Sequence, residues 1–206
     1  MIKIFLTAVF LLGCLAFPIS FSRAVNNDDD CLCIASEAVR KYCAAENAGV
    51  KKDEYRINQE AIARRDIQRL INQGIGADIA KDAAARSSIE TADFTIRELD
   101  GKIYTKESAA QIGASANNYQ GVLLISEATR IRVECLTLHG KDATVYINQH
   151  YVRYVPDRKD ESPHEVITNI IHREIWTFTE QGWKIKYLEE LERGNTYLDG
   201  KPYNPK

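Results

Sequence analysis

The spacing of hydrophobic positions changes near the middle of the chain. Ala63, Ile67, Leu70 and Ile71 fall at i, i+4, i+7 and i+8, while Arg64, Arg65, Asp66, Gln68 and Arg69 take the other faces. That is one apolar stripe of a helix. The pattern predicts a helix from Tyr55 that Gly74-Ile75-Gly76 breaks, then a second from Asp78 with Ile79, Ala83 and Ala84 inward. Asp93-Phe94-Thr95-Ile96-Arg97 alternates as a short strand, and Asp100-Gly101-Lys102 is a turn. Thr105 caps a third helix that runs to about Ser115.

From Thr129 the period is two. Ile131, Val133 and Cys135 share one face, with Arg130, Arg132 and Glu134 on the other. After a turn at His139-Gly140-Lys141-Asp142, Ala143, Val145, Ile147 and Tyr151 alternate with Thr144, Tyr146, Asn148 and His150. A polar loop over 157–165 leads to a long strand, Val166 to Phe178, which Glu180-Gln181-Gly182 turns back into Trp183, Ile185 and Tyr187. Helices first and hairpins afterwards predict an α+β fold, with N-terminal helices packed on a curved antiparallel sheet. Trp176 and Trp183 flank the last turn, so they can sit near each other across two strands.

Net charge is −2 and the isoelectric point about 6.1, so no basic field argues for nucleic acid. The N-terminus differs from the rest. Lys3 precedes an apolar run from Ile4 to Phe21, and Ser22-Arg23-Ala24 supplies small residues for a cut after Ala24. That layout is a secretory signal peptide over residues 1–24. An uncleaved anchor and a lipoprotein built on Leu11-Leu12-Gly13-Cys14 are the alternatives. All three put the folded part outside the cytosol, secreted or periplasmic, and leave the membrane only this segment to hold.

Residues 25–54 read as a polar, cysteine-bearing arm with a short helix that Ser36 caps and Gly49 ends. An oxidising compartment permits disulfides. Cys31 and Cys33 are too close to bridge each other, so one of them with Cys43 is the expected pair. A metal site using Asp28, Asp29 and Asp30 is the rival reading. No second Cys-x-x-Cys or His-x-x-x-His follows, so neither metal nor cofactor is expected. Cys135 reads as an inert buried thiol.

The strand from Val166 carries His172, Glu174 and Trp176 on one face and Ile167, Ile171 and Ile175 on the other. Both faces are half apolar, so both need cover: helices on one, a partner subunit on the other. A His and a Glu two apart can share a proton, and burial among apolar groups suits a carboxylate to acid–base work. The plainer reading pairs Glu174 with an Arg and His172 with a carbonyl. His150 and Tyr154 share a face with Tyr146 and either line a pocket or lie at the surface. No Gly-rich phosphate loop, nucleophile elbow or His-Glu-x-x-His motif is present.

The order of these pieces resembles the nuclear transport factor 2-like superfamily, which includes SnoaL-type polyketide cyclases and ketosteroid isomerases. The matching residues are Ala92-Asp93-Phe94, Asp100-Gly101-Lys102 and Thr105-Lys106-Glu107, then His139 to Val145, then Arg173-Glu174-Ile175-Trp176 with Gly182-Trp183-Lys184-Ile185. The resemblance covers about residues 55–191 and leaves 192–206 as a tail. It implies an α+β cone with a pocket under the helices, homodimers through the sheet's outer face, and Trp176 and Glu174 facing the pocket, with His172 one step further. The isomerase's Asp and Tyr–Asp pair, and the His–Asp dyad of the dehydratases and cyclases, have no counterparts that can be placed. The expectation is an exported binder of a small apolar ligand. The alternatives are an isomerase, dehydratase or cyclase using Glu174 or His172 as base with a Tyr as donor, and a non-catalytic assembly module.

Overall fold

The computed structural model describes residues 28–111, 124–156 and 163–203. Its helices are α1 (Asp28–Glu46), α2 (Glu54–Ala80) and α3 (Ala83–Ser88). The expected leader with Cys14, the end of the helix after Thr105, and the 157–162 loop lie outside the described residues.

Asp53 opens α2 by accepting the Arg56 amide on its carboxylate at 2.8 Å, which satisfies a donor the helix cannot. The helix does not break at Gly74-Ile75-Gly76 but runs to Ala80. A helical glycine costs about 1 kcal/mol relative to alanine. Burial of Ala63, Ile67, Ile71 and Ala77 outweighs that cost. Gly74 is there for room: a Cβ would lie 2.9 Å from Ile89 Cδ1. Left-handed Lys81 (φ 56°) ends α2, its amide reaching the carbonyls of Ala77 and Asp78. The expected second helix therefore shrinks to α3, started by Asp82, and Ala83 and Ala84 are exposed instead of inward.

Eight strands form one sheet: β1 (Glu90–Arg97), β2 (Ile103–Thr105), β3 (Leu124–Ile125), β4 (Arg130–His139), β5 (Asp142–Pro156), β6 (Pro163–Thr179), β7 (Gly182–Leu198) and β8 (Lys201–Tyr203). The order is β2-β1-β7-β6-β5-β3, with β4 also on β5 and β8 also on β7. The sheet is mixed, not purely antiparallel, because β1 runs parallel to β7. Ile89, at the end of α3, accepts from the Ile185 amide at 2.9 Å, so β1 starts beside the start of β7. Residues 192–203 do not leave the domain. Thr196 pairs with Thr168, Leu198 with Val166, and β8 folds back on β7.

The sheet's inner face packs on α2. Ala63, Ile67 and Ile71 meet Phe94, Val145, Ile147, Trp176 and Ile185 in the main core. Glu60 pins the start of α2: its carboxylate takes Lys52 (2.6 Å), Arg56 (3.2 Å) and the Leu138 amide (3.3 Å).

The outer face is covered by α1. Val39, Tyr146 and Ile171 form a small second cluster, and Tyr42 stacks on Tyr146 at 5.8 Å. A Cys43–Cys135 disulfide fastens the helix, in place of the expected bond from Cys43 to Cys31 or Cys33. The cause is a bulge. Val133 pairs with Ile147, but Cys135 pairs with Tyr146, leaving Glu134 over. An extra residue reverses the strand's facing. Val133 thus enters the main core with Leu136, and Cys135 turns outward to α1, so the two do not share a face. Ser36 lies inside α1, which already runs through Asp28, so it does not cap the helix. Cys31 and Cys33 lie within α1, and their side chains fall outside the described residues.

Candidate functional site

The site is built on β6. Its ladder with β5 runs without a slip, so Trp176 lies opposite Ala143, Glu174 opposite Val145 and His172 opposite Ile147. Those three β5 residues are core under α2, so the three β6 side chains face inward too. The sequence grouping of His172, Glu174 and Trp176 is therefore a real grouping in space.

Their geometry is that of a buried polar chain. The Trp176 indole N–H donates to one oxygen of the Glu174 carboxylate at 2.6 Å. The other oxygen lies 3.2 Å from His172 Nδ1. His172 is 2% exposed and Glu174 4%. Neither ring nitrogen of His172 makes a hydrogen bond among the described residues. Buried polar atoms are almost always paired, so such an imidazole calls for an explanation. Across the sheet, Leu188 lies opposite Glu174 and Glu190 opposite His172, with Arg193 engaging the Glu190 carboxylate at 2.6 Å.

His150 and Tyr154 do not join this group. Their register partners on β6 are Asn169 and Glu165, one residue out of phase with His172, so His150 points to the outer face. His150 Nδ1 lies 3.0 Å from Asn169 Oδ1, and the Tyr154 hydroxyl donates to Glu165 at 3.1 Å. Burial, then Glu165, pushes the Tyr154 phenol up. Tyr151 is the β5 tyrosine in phase with Ile147. Burial pushes its phenol up against the opposing pull of Arg153, and the charge of Asp78 on α2 adds to the rise. Asp78 is itself raised by burial, although Arg86 pulls it down. The alternation of Tyr151 with the core residues was the signal that points to it.

Trp183 does not face Trp176 across the hairpin; its partner is Phe178, edge to face at 5.2 Å. Two cavities flank this tip. One of about 260 Å³ lies between α2 and the hairpin, and one of about 650 Å³ between α3, β1 and the turn. Neither is lined by His172, Glu174 or Trp176. Among the described residues no three His, Cys, Asp or Glu side chains converge to hold a metal ion.

No protein-family model matches the sequence, and no curated protein matches it either. Solved structures do resemble the fold. A conserved protein from Planctomyces limnophilus superposes with a TM-score of 0.51 at 15% identity, over 64% of this chain and 94% of that one. The Kfla4162 protein from Kribbella flavida gives 0.51 at 16%, over 66% and 96%. A nuclear transport factor 2-like protein from Cytophaga hutchinsonii gives 0.49 at 12%, over 62% and 95%. At such identities the likeness is one of architecture and carries no activity. An open, mixed sheet in this strand order, with helices packed on it, gives the chain an α+β architecture, and that architecture is what it shares with the Planctomyces limnophilus and Kribbella flavida proteins.

Proposed function

We propose that the protein is an exported binder of a small, largely apolar molecule, held on the sheet's inner face with one hydrogen bond to His172. The observation that carries this reading is the imidazole: buried, with Nδ1 beside the Glu174 carboxylate and Nε2 without a hydrogen-bond partner among the described residues. Glu174 is fixed by the Trp176 indole, so the pair is held before any ligand arrives. Apolar neighbours such as Ile147 and Leu188 suit a ligand with little polar surface. Export is supported by the leader-like N-terminus and by the Cys43–Cys135 bond, which belongs in an oxidising compartment. A homodimer on the outer face would have to use surface beside α1, since that helix already covers Tyr146 and Ile171.

The test is a titration of the protein with cyclic ketones, followed by tryptophan emission, with native-mode mass spectrometry of protein purified from its own envelope. A saturable change that His172→Phe abolishes, or a retained mass, supports the reading. A bare chain mass with no saturable change for any ketone overturns it.

The 3.2 Å contact from Glu174 to His172 Nδ1 favours a second reading, catalysis. A carboxylate that orients one ring nitrogen leaves the other to take a proton from carbon next to a carbonyl. In deuterated water the protein would then exchange the α-protons of a bound ketone, and Glu174→Gln would slow that exchange. Binding without exchange removes catalysis and keeps the binder.

A further inference from the structure

We propose that the groove between α2 and the β6–β7 hairpin tip is a second site, which takes a small aromatic carboxylate. The tip is fixed by its own bonds: Thr179 Oγ1 donates to the Gly182 carbonyl at 2.8 Å and accepts the Gln181 amide at 3.1 Å. Gly182 (φ 95°) supplies the left-handed turn. This sets Phe178 and Trp183 edge to face at the groove's side. Phe178 is 55% exposed, whereas Trp176, two residues before it on the same face, is 1% exposed. The strand's inward row thus ends in an aromatic ring left open to solvent. Leu70 and Ile89 line the same cavity of about 260 Å³, which has room for one ring and its substituent but not for a drug-sized ligand.

Charge selects the kind of ring. Arg69 on α2 and Lys184 on β7 line the groove, and among the described residues neither meets a carboxylate. Among the described residues Lys184 Nζ donates to the Ser88 carbonyl alone, which leaves ammonium protons for a ligand. The acidic side chain on the wall, Asp66, is engaged by Arg65 at 3.7 Å. Two cations beside an open aromatic pair match a planar ring that bears an anionic group, by charge-assisted hydrogen bonding and edge or face contact together. The adjoining cavity of about 650 Å³ shares Ser88, Gln181 and Lys184 with the groove and is lined by Ser87, Thr91 and Glu180. A polar extension of the ring fits there.

The chain has two tryptophans, one in each site, and this gives the test. Uniformly 15N-labelled protein is titrated with benzoate and, separately, with benzyl alcohol. Benzoate should move the Trp183 indole signal saturably and leave that of Trp176 in place. Benzyl alcohol should bind about tenfold more weakly, and Lys184→Gln or the exposed Arg69→Gln should each weaken benzoate several-fold, since each removes one charge-assisted bond. Equal binding of the two compounds, movement of Trp176 instead of Trp183, or shifts that stay linear to the solubility limit would each overturn the site. Undisturbed signals elsewhere in the Arg69→Gln spectrum separate lost binding from lost fold.

Discussion

The two faces of the sheet are each covered by a helix, but by different means. On the inner face α2 buries a broad apolar stripe against Phe94, Val145, Ile147, Trp176 and Ile185, and Arg56, Glu60, Arg64 and Gln68 tie its edge to the β4 backbone at Leu138, Val133 and Ile131. On the outer face, among the described residues, α1 packs on the sheet through a cluster of Val39, Tyr146 and Ile171, with Tyr42 and Leu191 against it. Polar and covalent links make up the rest: Tyr42 donates to Glu192 at 2.6 Å, Thr137 to Asn47 at 3.1 Å, Glu46 lies 3.0 Å from His139, and Cys43 is bonded to Cys135. Most helical stability in a folded protein comes from tertiary packing, so that of α1 has to come from what it touches. Both helices carry polar links to the sheet; the covalent one belongs to α1.

Substitutions on the two faces should therefore fail differently. Trp176→Ala should cost the most, about 4–5 kcal/mol, because it opens the inner core and strips Glu174 of its indole donor; urea unfolding should remain one cooperative step at a much lower midpoint. Removing the disulfide by Cys43→Ser with Cys135→Ser should cost about 3–4 kcal/mol, since the bond closes a loop with a separation of 92 residues. There hydrogen exchange should rise first in α1, with α2 still protected. If both helices lose protection together, the two faces are not separate.

In that disulfide-free variant the Tyr42 phenol becomes a probe of α1. Its hydrogen bond to Glu192, and then burial, push it up to about 12. A raised folded value means that its contribution is complete below the unfolded value of about 10 and is lost as pH rises towards the folded one. The stability of that variant in urea should fall across that alkaline window, and Tyr42→Phe should lessen the fall. On the inner side Glu60→Ala should cost about 2 kcal/mol at neutral pH. Burial alone would raise this carboxyl, but Lys52, the Leu138 amide and Arg56 hold it below its usual range. Its contribution is therefore present above about pH 4.3 and lost as pH falls through the lower folded value. Glu60→Gln should flatten that acid limb in chemical denaturation. Gly74→Ala should change stability by less than about 1 kcal/mol, because the gain in helix propensity is offset by crowding at Ile89 Cδ1.

The sequence made the inner face readable and the outer face much less so. Ala63, Ile67 and Ile71 repeat at helical spacing, and Ala143, Val145 and Ile147 at strand spacing, so both sides of the main core could be found by period. His172, Glu174 and Trp176 came with them, since alternation fixes which residues share a face. It does not fix which face is inside, and that is why alternation leaves His150 and Tyr154 open between pocket lining and surface, whereas the register puts His150 on the face opposite His172. Cys135 was misplaced for a different reason. A bulge at Glu134 leaves no trace in composition, yet it reverses everything after it. Gly74 read as a break because local propensity is blind to Ile89, which lies 15 positions further on and needs the space.

The parallel pairing of β1 with β7 has a consequence for synthesis. It ties Thr95 and Ile96 to Tyr187 and Leu188, so the first long strand made on the ribosome has no partner but β2 until nearly the whole polypeptide has emerged. Docking of β1 is thus a late, long-range event, slow by the entropy of closing so large a loop, and a nascent chain halted before residue 185 holds β1 with one edge open.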